Sequence, residues 1–308
     1  MYIVDQKKYF NYFNRGIGKL IPKRIVPVIR PKIIDYVYDQ EGNILGNIAG
    51  VFLKEPASIS DLVKKFIAAI KKLRDENTQI MLIDNLHIFN RSELDIIEKE
   101  TRIKVIDGVA LLIDFLSVAL YNINRFLDAD LKSKEALIIG DDEELTIKAI
   151  ESICKNIGFI TIAGDYKKES IDRIYQHILE KTGLSIFYSK SIDRILTNYS
   201  IIINLIDNCN LNIRKIRNDA IIFDFSINKQ FSNELIQNGK LVAIGDFIFK
   251  GDDVNINGDA FIPKLMPSHI YGYLAEPKAE DFYGIYAGGQ IYTLEEFMNL
   301  KIKKKGKL

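Results

Sequence analysis

Leu131-Lys-Ser-Lys-Glu-Ala-Leu-Ile-Ile-Gly140-Asp-Asp-Glu-Glu144 is the stretch whose reading decides the fold of this 308-residue chain. Its centre, Ala136 to Gly140, is a short apolar strand closed by a glycine. The polar and apolar spacing that follows predicts a helix from about Glu143 to Asn156. A second strand, Phe159-Ile-Thr-Ile-Ala-Gly164, then ends on Asp165. Strand, glycine, helix and strand in this order make the opening β-α-β of a doubly wound parallel sheet, in which the first helix N-terminus faces a dinucleotide pyrophosphate. The loop departs from that pattern. A G-x-G-x-x-G turn brings backbone N–H groups up to phosphate, but this chain has Gly140-Asp141-Asp142-Glu143-Glu144, four consecutive carboxylates.

Working outward, strand and helix patterns alternate on both sides of this unit. After Pro31, residues 32–38 alternate as a strand. Turn residues 39–43 follow, and Ile44 to Leu53 returns as the second arm of a hairpin. Ser58-Ile-Ser-Asp61 caps a helix to about Arg74, with Leu62, Phe66, Ile70 and Leu73 at helical spacing. Strands are expected at 79–83 and 102–106, with a helix from Ser92 between them. Val109 to Leu127 is apolar around nearly its whole circumference, which predicts one helix buried on all sides and leading between two domains. Beyond Gly164, strands are expected at 184–188, 200–205, 220–225 and 241–244. Helices are expected at 268–276 and 293–300. The expected organisation is an N-terminal α/β domain over 1–108, a buried connecting helix over 109–130, a Rossmann-like domain over 131–267, and C-terminal helices with a basic tail over 268–308 that return to the first domain. A cleft between the two α/β domains is the expected ligand site.

Composition limits the function classes. Lys+Arg 42 against Asp+Glu 41 gives no reason to expect nucleic acid or an anionic membrane surface, and the basic run 301–307 reads as a solvated terminus. No stretch of ~18 apolar residues predicts a membrane span, and Met1 to Lys8 lacks the apolar core of a secretory signal, so the expectation is a cytoplasmic protein. Cys154 and Cys209 have no framework spacing, and His87, His177 and His269 lie far apart, so neither a disulfide scaffold nor a zinc site is expected. The partners in view are a small molecule or a protein bound in the cleft, and a second copy of the chain as a homodimer.

In order along the chain, several pieces together resemble the cyanobacterial-type fatty acyl-carrier-protein reductases, within the shikimate- and glutamyl-tRNA-reductase-like group. These are Glu41-Gly-Asn-Ile-Leu-Gly46, Phe52-Leu-Lys-Glu-Pro56, Ile106-Asp-Gly108, Leu131 to Gly140, Ile221-Ile-Phe-Asp224, Tyr271-Gly-Tyr-Leu-Ala-Glu276 and Tyr292-Thr-Leu-Glu-Glu-Phe297. The resemblance implies a reductase passing hydride from NADPH to an acyl thioester through a cysteine thioester. Carried over by position, Gly140 matches the first glycine of the family's phosphate loop, while Glu143 and Thr146 stand at the next two. The family's cysteine falls on Tyr273, with Ala275 and Glu276 retained after it. Val109 and Ala110 stand where polar residues are expected after Gly108.

The candidate cofactor-binding residues are therefore Gly140, Asp141, Asp142 and Asp165. The acidic run either complements the helix dipole, by ~0.3–1 kcal/mol per carboxylate, binds a cation or amine, or closes the former cofactor site. Asp165, about 25 residues after Gly140, stands where NAD enzymes place a ribose-binding acid. Given the altered phosphate loop, the preferred reading is an ordinary cap for the helix 167–181, and an acid there favours NAD over NADP. Cys209 is either a nucleophile near the sheet edge or a plain loop thiol. His269, Tyr273 and Glu276 are the candidate catalytic residues. His269 and Tyr273, at i and i+4, share a helix face and serve either acid–base work or packing of the seam. Two functions follow: a reductase-like protein that has lost NAD(P)-dependent catalysis and binds a ligand or partner with no cofactor, or an active NAD(P)-dependent oxidoreductase, with NAD the expected cofactor, acting on an aldehyde, acyl thioester or related carbonyl.

Overall fold

A computed structural model describes residues 1–13, 30–38, 41–53, 58–127, 130–239, 242–251 and 261–305, with only the backbone of 301–305. Among the motifs read from sequence, 39–40, 54–56, Leu241 and 306–307 lie outside the described residues. The chain divides into two compact units, Met1–Asp107 with Gly251–Ala275, and Gly108–Lys250 with Glu276–Leu308. Both are α/β.

The first unit contains β1 (Tyr2–Val4), α1 (Gln6–Phe13), β2 (Lys32–Tyr38), β3 (Ile44–Gly50), α2 (Ile59–Leu73), β4 (Ile80–Ile83), α3 (Arg91–Thr101) and β5 (Lys104–Val105). Its sheet runs β2-β3-β1-β4-β5. β3, β1, β4 and β5 are parallel, and β2 closes the edge as an antiparallel hairpin partner of β3. The hairpin and α2 stand where the residue pattern puts them: Ser58 accepts from the Asp61 N–H as N-cap, and Phe66, Ile70 and Leu73 are buried. The helix expected from Ser92 instead starts at Arg91. Asn90 and Glu93 form a capping box, a reciprocal pair of hydrogen bonds that satisfies two otherwise orphaned donors. The central strand β1 is absent from the sequence reading, because three residues are too few to show a period. Tyr2, Ile3 and Val4 are all buried, paired on one side with β3 and on the other with β4.

The second unit opens with Val109–Leu127, which is two helices rather than one. α4 (Val109–Asp114) and α5 (Leu116–Leu127) meet at Phe115, whose N–H turns back to the Leu111 and Ile113 carbonyls. Nor is the segment buried on all sides. Leu112, Leu116, Ala119, Leu120 and Ile123 are in the core, while Tyr121 is 57% and Phe126 47% exposed. These helices pack on α6 (Glu143–Ile153), with the Ser152 hydroxyl donating to the Ile113 carbonyl at 2.7 Å, so they belong to the sheet they precede.

The strands of this sheet are β6 (Glu135–Ile139), β7 (Phe159–Ala163), β8 (Phe187–Tyr188), β9 (Ile201–Asn204), β10 (Ile221–Asp224) and β11 (Ile244–Lys250). They are parallel in the order β8-β7-β6-β9-β10-β11. This is the Rossmann order, 3-2-1-4-5-6. The connections are α6, α7 (Lys168–Thr182) and α8 (Gln230–Gln237). β9 and β10 are buried along their whole length, as strands covered on both faces must be. Leu137, Ile139, Ile202, Ile222, Phe231 and Leu235 make one continuous core. Residues 265–267 (β12) and α9 (Ser268–Leu274) belong to the first unit. Antiparallel β13 (Phe282–Ala287) and β14 (Gln290–Tyr292) extend the second sheet beyond β11, and α10 (Leu294–Lys305) packs on α5. Among the C-terminal helices, α9 thus lies in the first unit and α10 in the second.

Candidate functional site

In a sheet of this order, ligands bind outside the carboxyl ends of the strands where neighbouring connections leave in opposite directions. In the second unit that point lies between β6 and β9, at Gly140 and Leu205, where the Leu205 N–H donates to the Ile139 carbonyl at 2.9 Å. β7 lies on the other side, and the Gly140 N–H donates to the Ala163 carbonyl at 3.0 Å. Two glycines make this approach possible. Any side chain on Gly140 would run into the Tyr166 and Thr146 hydroxyls. Gly164, at φ +140°, stands so close that a β-carbon would overlap the Gly140 carbonyl.

Tyr166 and Thr146 occupy the junction. Their hydroxyls are 2.5 Å apart, Thr146 is fully buried and Tyr166 is 7% exposed. Burial pushes the Tyr166 phenol well above its usual range, so it stays a neutral hydrogen-bonding group. Thr146 lies in the first turn of α6 and fills the space where that helix passes the strand. Tyr188 packs edge-on against Tyr166 and donates to the Gly164 carbonyl at 3.1 Å.

The acidic run is largely engaged with the chain itself. Asp142 is the N-cap of α6 and accepts from the Leu145 N–H at 2.8 Å. Glu143 forms a two-pronged pair with Arg173 of α7, at 2.8 and 2.6 Å, and the hydrogen bond from that guanidinium holds its carboxyl below the usual range. Glu144 pairs with Lys148 one turn along at 2.7 Å, with its carboxyl lowered likewise. Asp141 is exposed at the tip. Among the described residues no cluster of three or more His, Cys, Asp or Glu side chains could hold a metal.

Asp165 stands exposed just past the end of β7, as its spacing predicts. It is not a helix cap: α7 begins at Lys168, and its N-cap, Lys167, makes no side-chain capping bond. Cys209 is a core residue, 3% exposed, among Leu211, Ile213 and Leu235. Burial, with Asp224 and Glu234 nearby, pushes its thiol far above the usual range, so it lacks the positive field a nucleophile needs.

His269 and Tyr273 share α9 but not an environment. His269 is buried, its Nε2 3.1 Å from the Ile83 carbonyl of β4, whereas Tyr273 is 46% exposed. The helix ends at Leu274 with Ala275 already extended, so Glu276 lies beyond it and is exposed. Although the helix is expected to run to 276, Glu276 lies outside it, and His269 and Tyr273 within it differ in burial.

A residue not selected as a candidate from sequence is a heavily hydrogen-bonded carboxylate of the second unit. Asp224, at the carboxyl end of β10, is fully buried. Its Oδ1 accepts from Asn204 Nδ2 at 2.9 Å and from the Ser226 hydroxyl at 2.6 Å. Its Oδ2 accepts from the Ser232 N–H at 2.8 Å and hydroxyl at 2.6 Å. It thereby satisfies donors from β9, from the loop after β10 and from the first turn of α8. Lys229, left-handed at φ 54°, turns its ammonium onto the Asp224 carbonyl at 2.7 Å. The one available signal was an acid closing the apolar run Ile221-Ile-Phe.

No protein-family model matches the chain, and no curated protein matches it. Solved structures with likeness to it include quinate dehydrogenase from Corynebacterium glutamicum in complex with NAD, at 9% identity over 41% of this chain and 46% of that one, TM-score 0.33. L-tryptophan dehydrogenase from Nostoc punctiforme aligns at 13% identity over 65% and 57%, TM-score 0.32. Shikimate dehydrogenase from Aquifex aeolicus aligns at 14% over 61% and 73%, TM-score 0.28. The chain spans about half the length of the first of these. The strand order of its own second sheet makes that unit Rossmann-like, with the architecture of nicotinamide dehydrogenases. No described helix is long and apolar enough to cross a membrane.

Proposed function

We propose that this chain is a dehydrogenase-like protein that has lost classical NAD(P)-dependent catalysis and works by binding a ligand or a partner. The observation that carries the reading is the β6–α6 junction. The Leu145 N–H, one of the donors that the start of α6 would offer to a pyrophosphate, already serves Asp142, and the crevice above Gly140 holds the Tyr166–Thr146 pair. Charge works in the same direction. At ~6 Å through a water-like dielectric, a loop carboxylate such as that of Asp142, which serves a neutral N–H rather than a cation, opposes a doubly charged pyrophosphate by ~1 kcal/mol, while Glu143 and Glu144 are offset by Arg173 and Lys148. The family resemblance is then one of architecture. Tyr273, in the place of the thioester-forming cysteine, goes with loss of acyl reduction.

The second reading is an active oxidoreductase with an unusual cofactor grip, and its support is the strand order together with Asp165 at the ribose position. Calorimetric titration of the folded protein with NAD, NADH and NADPH separates the two. The expected result is no binding of any dinucleotide. Micromolar binding of one would overturn the proposal and direct assays to aldehydes and acyl thioesters.

A further inference from the structure

The two ends of α8 are held differently. Its first turn is packed, with Phe231 and Ser232 buried, and Leu235 is its last buried residue. Ile236, Gln237, Asn238 and Gly239 are all exposed. The final turn is closed by hydrogen bonds. Gly239 stands in the left-handed region at φ +67°, and its N–H donates to the Ile236 carbonyl at 3.0 Å, while Asn238 Nδ2 donates to the Glu234 carbonyl at 2.8 Å. A left-handed residue closing a helix favours glycine, because a Cβ is strained there. The same missing Cβ leaves the Gly239 nitrogen uncrowded, and the space beside it is open. A helix end with exposed side chains frays at little cost in free energy. Asn238-Gly239 is the one Asn-Gly step among the described residues, and Asn257-Gly258 lies outside them.

We infer that Asn238 is a site of spontaneous deamidation, through a cyclic imide formed with Gly239 when the last turn of α8 opens. In the closed turn both reacting groups are engaged, and a ψ of −1° at Asn238 turns the Gly239 nitrogen away from the side chain. Opening the turn frees them. The Gly239 nitrogen attacks Asn238 Cγ and gives up its proton, and the Cγ–Nδ2 bond breaks, releasing ammonia. Water then opens the imide at either carbonyl, which yields aspartate or, with the main chain rerouted through the side chain, isoaspartate. Either product lacks the donor to the Glu234 carbonyl. It also sets a carboxylate at the helix C-terminus, where the dipole and Glu234 one turn back both oppose it. The change is one-way, and it takes the formal net charge from +1 to 0. The Ser232 bonds to Asp224, at the packed end of α8, lie outside it. The chemistry is the chain's own and does not depend on whether a dinucleotide binds.

The test is ageing of the full folded chain in mildly alkaline buffer, followed by native ion exchange, peptide mass mapping and detection of isoaspartate by enzymatic carboxyl methylation. An acidic form that accumulates with time is expected, with the mass change from amide to acid and the isoaspartate both at Asn238. Gly239→Ala, whose methyl crowds the attacking nitrogen, and Asn238→Gln, whose extra methylene disfavours the ring closure, should each slow conversion at this position by about tenfold or more. Alanine is strained at φ +67°, so Asn238→Gln, which keeps both the glycine and an amide donor, decides the matter if Gly239→Ala does not fold. Three results would overturn the inference: conversion confined to Asn257, an amide still intact at Asn238 when the chain unfolded in guanidinium and aged beside it has converted there, or an undiminished rate in Asn238→Gln.

Discussion

Replacing Tyr166 with Phe removes one oxygen from the junction on which the functional reading rests. Its partner, Thr146 Oγ1, is 2.5 Å away and fully buried, so water cannot take over the hydrogen bond. Two limits bracket the cost. If the threonine hydroxyl turns back to the Asp142 carbonyl, which already accepts the Thr146 N–H at 3.1 Å, only the net worth of one hydrogen bond is lost, ~1 kcal/mol. If it stays orphaned, the loss approaches ~3 kcal/mol. For a unit of this size that corresponds to a fall in Tm of about 3–10 °C. Calorimetric melting of wild type, Tyr166→Phe, Thr146→Val and the double variant isolates the pair. A coupling energy of ~1–2 kcal/mol is expected, because the second substitution removes a partner already lost. Additive effects, within ~0.5 kcal/mol, would refute the idea that these hydroxyls hold the junction closed.

Two further substitutions test the same carboxyl edge. Gly164→Ala places a β-carbon on the Gly140 carbonyl at a φ that L-residues avoid, and should cost more than ~3 kcal/mol, seen as a large fall in Tm or loss of soluble protein. A shift below ~1 kcal/mol would show that β6 and β7 do not approach as described. Asp224→Asn keeps the shape but brings an amide NH2 against either the Ser226 hydroxyl and Asn204 amide or the Ser232 N–H. A loss of ~2–4 kcal/mol in denaturant unfolding, with m unchanged, is expected, and a neutral result would contradict the network.

Much of the architecture was legible because it is written in local periodicity. Ala136 to Ile139 and Phe159 to Ala163 are apolar runs of strand length, and Asp142 precedes a helical pattern, so strand, turn and helix could be placed without knowing their neighbours. The same logic misread Val109 to Leu127, where apolarity all round concealed a break at Phe115. It passed over β13 and β14, which the chain adds antiparallel after the parallel strands, and it put a cap on Asp165 where the backbone does not turn into helix until Lys168.

By itself the sequence determined two α/β units, a Rossmann-type opening and a phosphate loop whose charge is reversed, because composition, period and turn chemistry are properties of neighbouring residues. Only the tertiary structure decided what those residues do. Tyr166 reaches Thr146 across 20 positions and Arg173 reaches Glu143 across 30, while Tyr2 lies beside Asp84 because β1 is inserted between β3 and β4. Contacts of that range are set by how sheets order their strands and fill the space between them. No spacing along the chain records that order.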